Sequence, residues 1–237
     1  MKSSINKINK NLKKQTKTKK SKKLKASKNH ASAILQAPLN NSVRIIGGKF
    51  RGRKLAVLSA TGLRPTPDRV RETVFNWLMN DLIDARCLDV FAGTGALGFE
   101  ALSRGAEKTI FLENNPEIIK SLKQTIQLFK LDKLENSAEI YSVNALNYLN
   151  SQVAQISQAK ISFDIVFCDP PFHQDLLLKT LELLINNHWV KSGSLIYIEH
   201  EQGLDITEGL EKLKDRFEII KQKQTEQVIY GLLKITK

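Results

Sequence analysis

Apolar residues along this chain gather into short runs, and between the runs they recur at the three- and four-residue spacing of amphipathic helices. The regular alternation begins near residue 86. Cys87-Leu88-Asp89-Val90-Phe91 is too short for a helix and passes straight into glycine-bearing residues, which is the pattern of a buried strand. Similar runs at 109–113, 139–143, 163–169 and 194–199 predict four more strands. Helical patterns lie between them: one from Ala96 onward, one opened by Pro116, one from 145 to about 156, and one over 175–185. Apolar strands alternating with helices specify a doubly wound α/β fold, a mostly parallel sheet with helices on both faces. The runs at 217–221 and 227–235 are separated by a few polar residues and read as a closing antiparallel pair, bringing the sheet to seven strands.

Upstream the pattern differs. Residues 43–55 read as a β-hairpin with Arg44, Lys49, Arg51 and Arg53 on its basic face beside Phe50. Such a face suits a phosphate backbone; an edge hairpin kept soluble by charge explains it equally well. The run Gly62 to Asp68 leads into a helix, with Thr66 as the expected N-cap and Pro67 in the first helical position. Val70, Val74, Trp77 and Leu78 share one face of that helix, while Arg64, Arg69 and Arg71 are expected at its mouth or on its polar side, gripping phosphates or solvated. Three parts follow: a tail and linker over 1–42, an RNA-facing hairpin and helix over 43–85, and the main domain over 86–237.

Composition refines this division. In 237 residues, 41% of them hydrophobic, there is enough apolar surface for a substantial core. The net charge of +13 is concentrated, because residues 1–30 hold twelve lysines and no acid, and +13 less twelve leaves +1 for the rest. A tail of that composition is expected to be disordered and to hold polyanions loosely, or simply to be solvated. No apolar stretch approaches the roughly 18 residues of a membrane span, and no secretory signal opens the chain, so a cytoplasmic location is expected. Cys87 and Cys168 fall inside predicted strands without a CxxC or Cys/His cluster, which predicts reduced, packed thiols and no metal.

Two stretches carry chemistry. Gly93-x-Gly95-x-x-Gly98 follows a strand and opens a helix, so its backbone can turn tightly and approach a ligand, with Phe91, Ala92 and Thr94 in the same bend. On its own it fits a nicotinamide dinucleotide or S-adenosylmethionine. Asp89, Glu113 with Asn114, and Asn144 with Ala145 stand at successive strand ends, where an adenosine would meet its ribose and base contacts. Their alternatives are a loop brace, a helix-terminal charge and an N-cap. The second stretch is Asp169-Pro170-Pro171-Phe172. Two prolines stiffen the strand end, so the carboxylate, the Pro170 carbonyl and the aromatic ring can form a pocket for a flat amine.

Asp169-Pro170-Pro171-Phe172 resembles the [DN]PP[FYW] motif of amino-methyltransferases, and Asp89-Val90-Phe91-Ala92-Gly93-Thr94-Gly95 resembles their S-adenosylmethionine loop. More narrowly, Arg44-Ile45-Ile46-Gly47-Gly48, Leu63-Arg64-Pro65-Thr66 with Asp68-Arg69-Val70-Arg71-Glu72-Thr73, and the run from Asp89 to Gly98 followed by Glu100 to Ala106 resemble the bacterial 16S rRNA guanine-N2 methyltransferases of the 966 site. The likeness spans about residues 43–237, and the chain departs from the wider methyltransferase pattern at Asn144, where many members carry Asp. The resemblance implies a class I, Rossmann-like methyltransferase that uses S-adenosylmethionine on 16S rRNA or a 30S assembly particle, as a monomer. In that reading Asp169 and the Pro170 carbonyl hold the guanine amine and Phe172 stacks on the base. An adenine-N6 methyltransferase acting on DNA or RNA, a nicotinamide-dependent oxidoreductase, and a non-catalytic RNA-binding assembly factor are the competing readings.

Overall fold

The computed structural model describes residues 42–58, 66–131, 137–151, 162–172 and 174–237. The expectations for the lysine-rich tail, for the linker up to residue 41 and for Arg64 lie outside the described residues. Ser42–Arg44 (β1) and Lys54–Ala56 (β2) pair antiparallel as the expected hairpin, joined by a short 3-10 turn at Gly48–Phe50. Asp68–Trp77 (α1) follows. Its N-cap position is Pro67 with no side-chain bond, so Thr66 is not the cap that its sequence position predicts. A different partner takes its hydroxyl, as described below.

The main sheet is built outward from Arg86–Asp89 (β3). Lys108–Glu113 (β4) and Ser137–Ser142 (β5) extend it in parallel on one side. Phe163–Cys168 (β6) and Val190–His200 (β7) extend it in parallel on the other. Phe217–Gln224 (β8) and Ile229–Ile235 (β9) close it antiparallel, with β9 inserted next to β7, giving the order β5-β4-β3-β6-β7-β9-β8. Seven strands, with β9 alone running against the other six, match the expected mostly parallel architecture. The chain winds outward from β3 to β5 and then returns to β6, so strand order reverses between β3 and β6. In open α/β sheets ligands bind beyond the C-terminal strand ends at that reversal.

Helices Ala96–Ser103 (α2), Pro116–Phe129 (α3), Ala145–Asn150 (α4), Leu176–Asn186 (α5) and the short Ile206–Gly209 (α6) connect the strands. Side chains alternate across β3, and the two faces feed different cores. Leu88 and Val90 pack with Leu149, Leu181 and Trp189 from the α4 and α5 side. Cys87 packs with Val74, Phe75 and Leu78 of the α1 side, and with Leu97, Phe167 and Tyr197. Trp77, expected on the buried face, is only partly covered and stacks on Tyr230 at 5.6 Å. Both cysteines are buried and unpaired, and burial raises both thiols above their usual range. A third core seats the hairpin: Val43, Ile45, Phe50 and Leu55 pack on Phe99 and Leu102 of α2 and on Leu122 and Phe129 of α3.

Candidate active site

Beyond β3 the backbone stays pinned to both neighbours, with Val90 N–H donating to Phe167 O at 3.0 Å and Ala92 N–H to Leu112 O at 3.1 Å. The loop therefore has little freedom and must turn within a few residues. Gly93 at φ 49° and Gly95 at φ 73° occupy the left-handed region, which a side chain disfavours. A Cβ on Gly98 would lie 2.3 Å from the Phe111 ring, so the absent side chain is what lets α2 rest on β4. Asp89 Oδ2 accepts the Gly98 N–H at 3.1 Å, and burial pushes the Asp89 carboxyl up to about 8. Glu113 Oε1 accepts from Asn114 and Asn115 N–H, both at 2.8 Å, while Oε2 accepts from Gly93 N–H at 3.1 Å. Asn144 accepts from Asn147 N–H at 3.1 Å as the cap of α4. The polar side chains expected to face a ligand thus shape the backbone around it.

At the far side of the strand reversal, β6 delivers Asp169-Pro170-Pro171-Phe172. Thr66 Oγ1 donates to Asp169 Oδ2 at 3.2 Å, a bond spanning more than a hundred residues of sequence. The register pairs Cys168 with Ile198, so the next residues outward are Asp169, just beyond β6, and Glu199, the last residue but one of β7. Glu199 is 3% exposed and accepts the Tyr197 hydroxyl at 2.6 Å. Burial first, then the Glu199 charge, and then Asp89 hold Asp169 well above the carboxylate range, with the Thr66 hydroxyl pulling the other way. Phe172 is partly buried against the core that includes α1. Sequence reasoning assigned no role to Glu199 and misassigned Thr66. The pattern for Glu199 was present, because β3 and β4 end on an acidic residue, Asp89 and Glu113, and β6 and β7 end within one residue of another, Asp169 and Glu199.

These two regions face one cavity of about 490 Å³. Asp89, Phe91, Ala92, Gly93, Thr94, Glu113, Asn114, Asn144 and Ala145 line it together with Asp169, Pro170, Pro171 and Phe172, and Thr66 and Glu199 join them. Gly95 alone among the expected ligand-facing residues does not line it and is buried beneath the bend. A cleft of this volume falls within the roughly 300–1,000 Å³ range of small-molecule sites. Among the described residues, no group of three His, Cys, Asp or Glu could hold a metal ion, and no helix is long and apolar enough to cross a membrane.

The basic residues divide. Lys49, Arg51 and Arg69 are exposed. Arg44 is exposed but paired with Asp68 at 2.9 Å. Arg53 lies over the rings of Phe50 and Phe129, at 5.3 and 4.9 Å, and donates to Leu128 O. Arg71 is fully buried, which corrects its expected position on the polar side of the helix. It donates to Asp68 Oδ1 at 2.6 Å, to Arg44 O at 3.0 Å and to Thr66 O at 3.3 Å, and its Nη1 lies 3.8 Å from Glu100 Oε2. Glu100, also buried, accepts the Ile46 and Gly47 N–H groups at 2.7 and 2.8 Å and pairs with Arg104 at 2.7 Å. A buried cation needs an anion beside it, and Glu100 on α2 supplies one.

The family model described as Conserved hypothetical protein 95 matches residues 43–234. A ribosomal RNA small subunit methyltransferase D of Haemophilus influenzae is 42% identical over 199 residues, covering 84% of this chain and 97% of that protein. Its counterpart in Escherichia coli strain K12 is 40% identical over 193 residues, covering 81% and 90%. Among solved structures, the putative methyltransferase yhhF from Escherichia coli superposes with a TM-score of 0.69 at 38% identity, covering 83% of this chain and 99% of that one.

Proposed function

Because this chain belongs to the Conserved hypothetical protein 95 family and is a methyltransferase, we propose that it transfers a methyl group from S-adenosylmethionine to the N2 amine of a guanine in 16S rRNA. The observation that carries this reading is that the glycine bend and Asp169-Pro170-Pro171-Phe172 line one cleft at the strand reversal. The substrate is the rRNA of the small subunit, free or in a 30S assembly particle, met by a cytoplasmic monomer at the 966-type site. The relatives do not favour the adenine-N6 or nicotinamide alternatives.

S-adenosylmethionine, when bound, supplies a methyl carbon already activated by its sulfonium. The residues of the chain fit such a group: the bend at Gly93 leaves no Cβ in its way, and the cleft has the volume for it. Glu113 Oε2 spends one lone pair on Gly93 N–H and retains another for a ribose hydroxyl. Asn144 commits its amide oxygen to the cap of α4, which leaves its NH₂ as the group for an adenine ring nitrogen. Asp169, with Oδ2 fixed by Thr66, and the rigid Pro170 carbonyl accept the protons of the guanine amine and aim its lone pair into the cleft. Phe172 stacks on the flipped base, at about 1–3 kcal/mol. Lys49, Arg51, Arg69 and Arg44 form the exposed basic side for the phosphate backbone.

The test is to incubate the protein and S-adenosylmethionine with 30S particles lacking the modification, digest the RNA, and identify the labelled nucleoside by mass spectrometry. N2-methylguanosine at one position is the expected product. N6-methyladenosine, or cofactor binding with no transfer to RNA, overturns the reading.

A further inference from the structure

One buried acid in the cleft is left over by the reading above. Glu199 lines the same cavity as Asp169, is 3% exposed, and sits one residue beyond the paired Cys168 and Ile198, so the two carboxyl groups occupy neighbouring strand ends. Each accepts a hydrogen bond from a hydroxyl outside the pair, Asp169 from Thr66 at 3.2 Å and Glu199 from Tyr197 at 2.6 Å. The titratable or charged groups around them, among the described residues, include Asp89 on β3, the buried Cys168 thiol next to Asp169, Tyr230 on β9, and Arg71, which holds the Thr66 carbonyl at 3.3 Å. His200, the next residue on β7, has its Nδ1 2.8 Å from Glu201 O.

We propose that Glu199 works with Asp169 as a carboxyl pair that removes the proton of the methylated amine, Asp169 touching the amine and Glu199 acting through it as a positioning residue. This rests on the methyl-transfer reading. Two like charges on neighbouring strand ends of a shielded cleft disfavour one another, so in this proposal the pair carries one proton and one negative charge before reaction. That single charge faces a neutral amine. The N2 lone pair then forms a bond to the methyl carbon while the carbon–sulfur bond breaks, and the electron pair of that bond stays on sulfur. The nitrogen is left with a positive charge and two protons. One of them moves to Asp169, and the proton already in the pair resides on Glu199. The pair ends neutral with two protons, the product amine is neutral with one, and solvent later removes the extra proton.

The experiment uses the full chain, and its two readouts fail separately. In the free protein, ¹³C NMR of labelled aspartate carboxyls follows Asp169 directly. Glu199→Gln removes the like charge, so the Asp169 midpoint moves down toward the ordinary carboxylate range. In single turnover on unmodified 30S particles, the same variant transfers methyl roughly 10²-fold more slowly with unchanged S-adenosylmethionine affinity, and the acid limb of its rate profile shifts to lower pH. Tyr197→Phe removes only the hydroxyl donor of Glu199, which favours the proton on Glu199 and lowers the Asp169 midpoint by a smaller amount; it decides the matter if Glu199→Gln does not fold. An Asp169 titration unmoved in both variants, or wild-type turnover in Glu199→Gln, overturns the pair. A wild-type protein that transfers no methyl group to RNA overturns the reading beneath it, while the titration still reports on the two carboxyls.

Discussion

At the glycine end of the cleft, Asp89 and Glu113 accept four backbone N–H groups, those of Gly98, Gly93, Asn114 and Asn115, whereas at the other end Asp169 and Glu199 accept the hydroxyls of Thr66 and Tyr197. Backbone donors are fixed by the fold, and carboxylates spent on them become part of the scaffold. Hydroxyl donors rotate and can exchange a proton, so acids held by them remain able to change charge. The first arrangement suits a cradle that must keep its shape through many turnovers. The second suits a place where protons are moved.

The largest break in that contrast comes from Asp169→Ala. Single-turnover methyl transfer is expected to fall by about 10²–10⁴-fold while S-adenosylmethionine affinity, measured by calorimetry, stays near the parent value. Arg71→Ala comes next, and it acts on stability. It leaves Glu100 buried without one of its cations and releases the Thr66 carbonyl, so denaturant unfolding should show a loss of about 3–5 kcal/mol. Phe172→Ala should weaken RNA binding by about 1–3 kcal/mol in a filter or fluorescence titration and leave cofactor binding alone.

Asp89→Asn sharpens the other half. The folded carboxyl is held at about 8 against an ordinary 3.8, so between those values the folded protein keeps a proton that the unfolded chain has released. Stability therefore falls as pH rises through that window, and the Asn variant, lacking the proton, should gain on the parent over the same range in melting curves. If the two curves stay parallel, the Asp89 carboxylate is not held by burial. The smallest effect is expected on the hairpin, where Lys49→Ala or Arg51→Ala should each lower the salt slope of RNA binding by about 0.7–0.9 with little change in turnover.

The fold was legible because its elements are local statements. Short apolar runs mark the strands, and Gly93, Gly95 and Gly98 mark a bend that few other residues tolerate. The Asp-Pro-Pro-Phe corner was legible for the same reason, since two prolines restrict the backbone where they stand. What escaped depends on partners far away in sequence. Thr66 has the place and chemistry of an N-cap, yet its hydroxyl goes to Asp169. Arg71 looks like a solvated helix residue until Glu100 is brought beside it. Glu199 ends an apolar run as Glu113 does, and only the strand register shows that its neighbour is Asp169 and not a loop backbone. For Asp89 and Asn144 the plainer alternative, brace and cap, describes the contacts observed.

Glu100 lies on the eight-residue helix that starts at the glycine bend and takes the Ile46 and Gly47 N–H groups of the hairpin. At about 1.5 Å per residue that helix is a strut of about 12 Å, rooted at one end in the glycine bend and bolted to the basic arm at its middle by Glu100 and at its far end by Ser103, whose hydroxyl accepts the Phe50 N–H at 2.8 Å. The gap between the two is a built-in gauge. On the proposed reading, an RNA held by the arm meets the cleft at a separation that this helix sets.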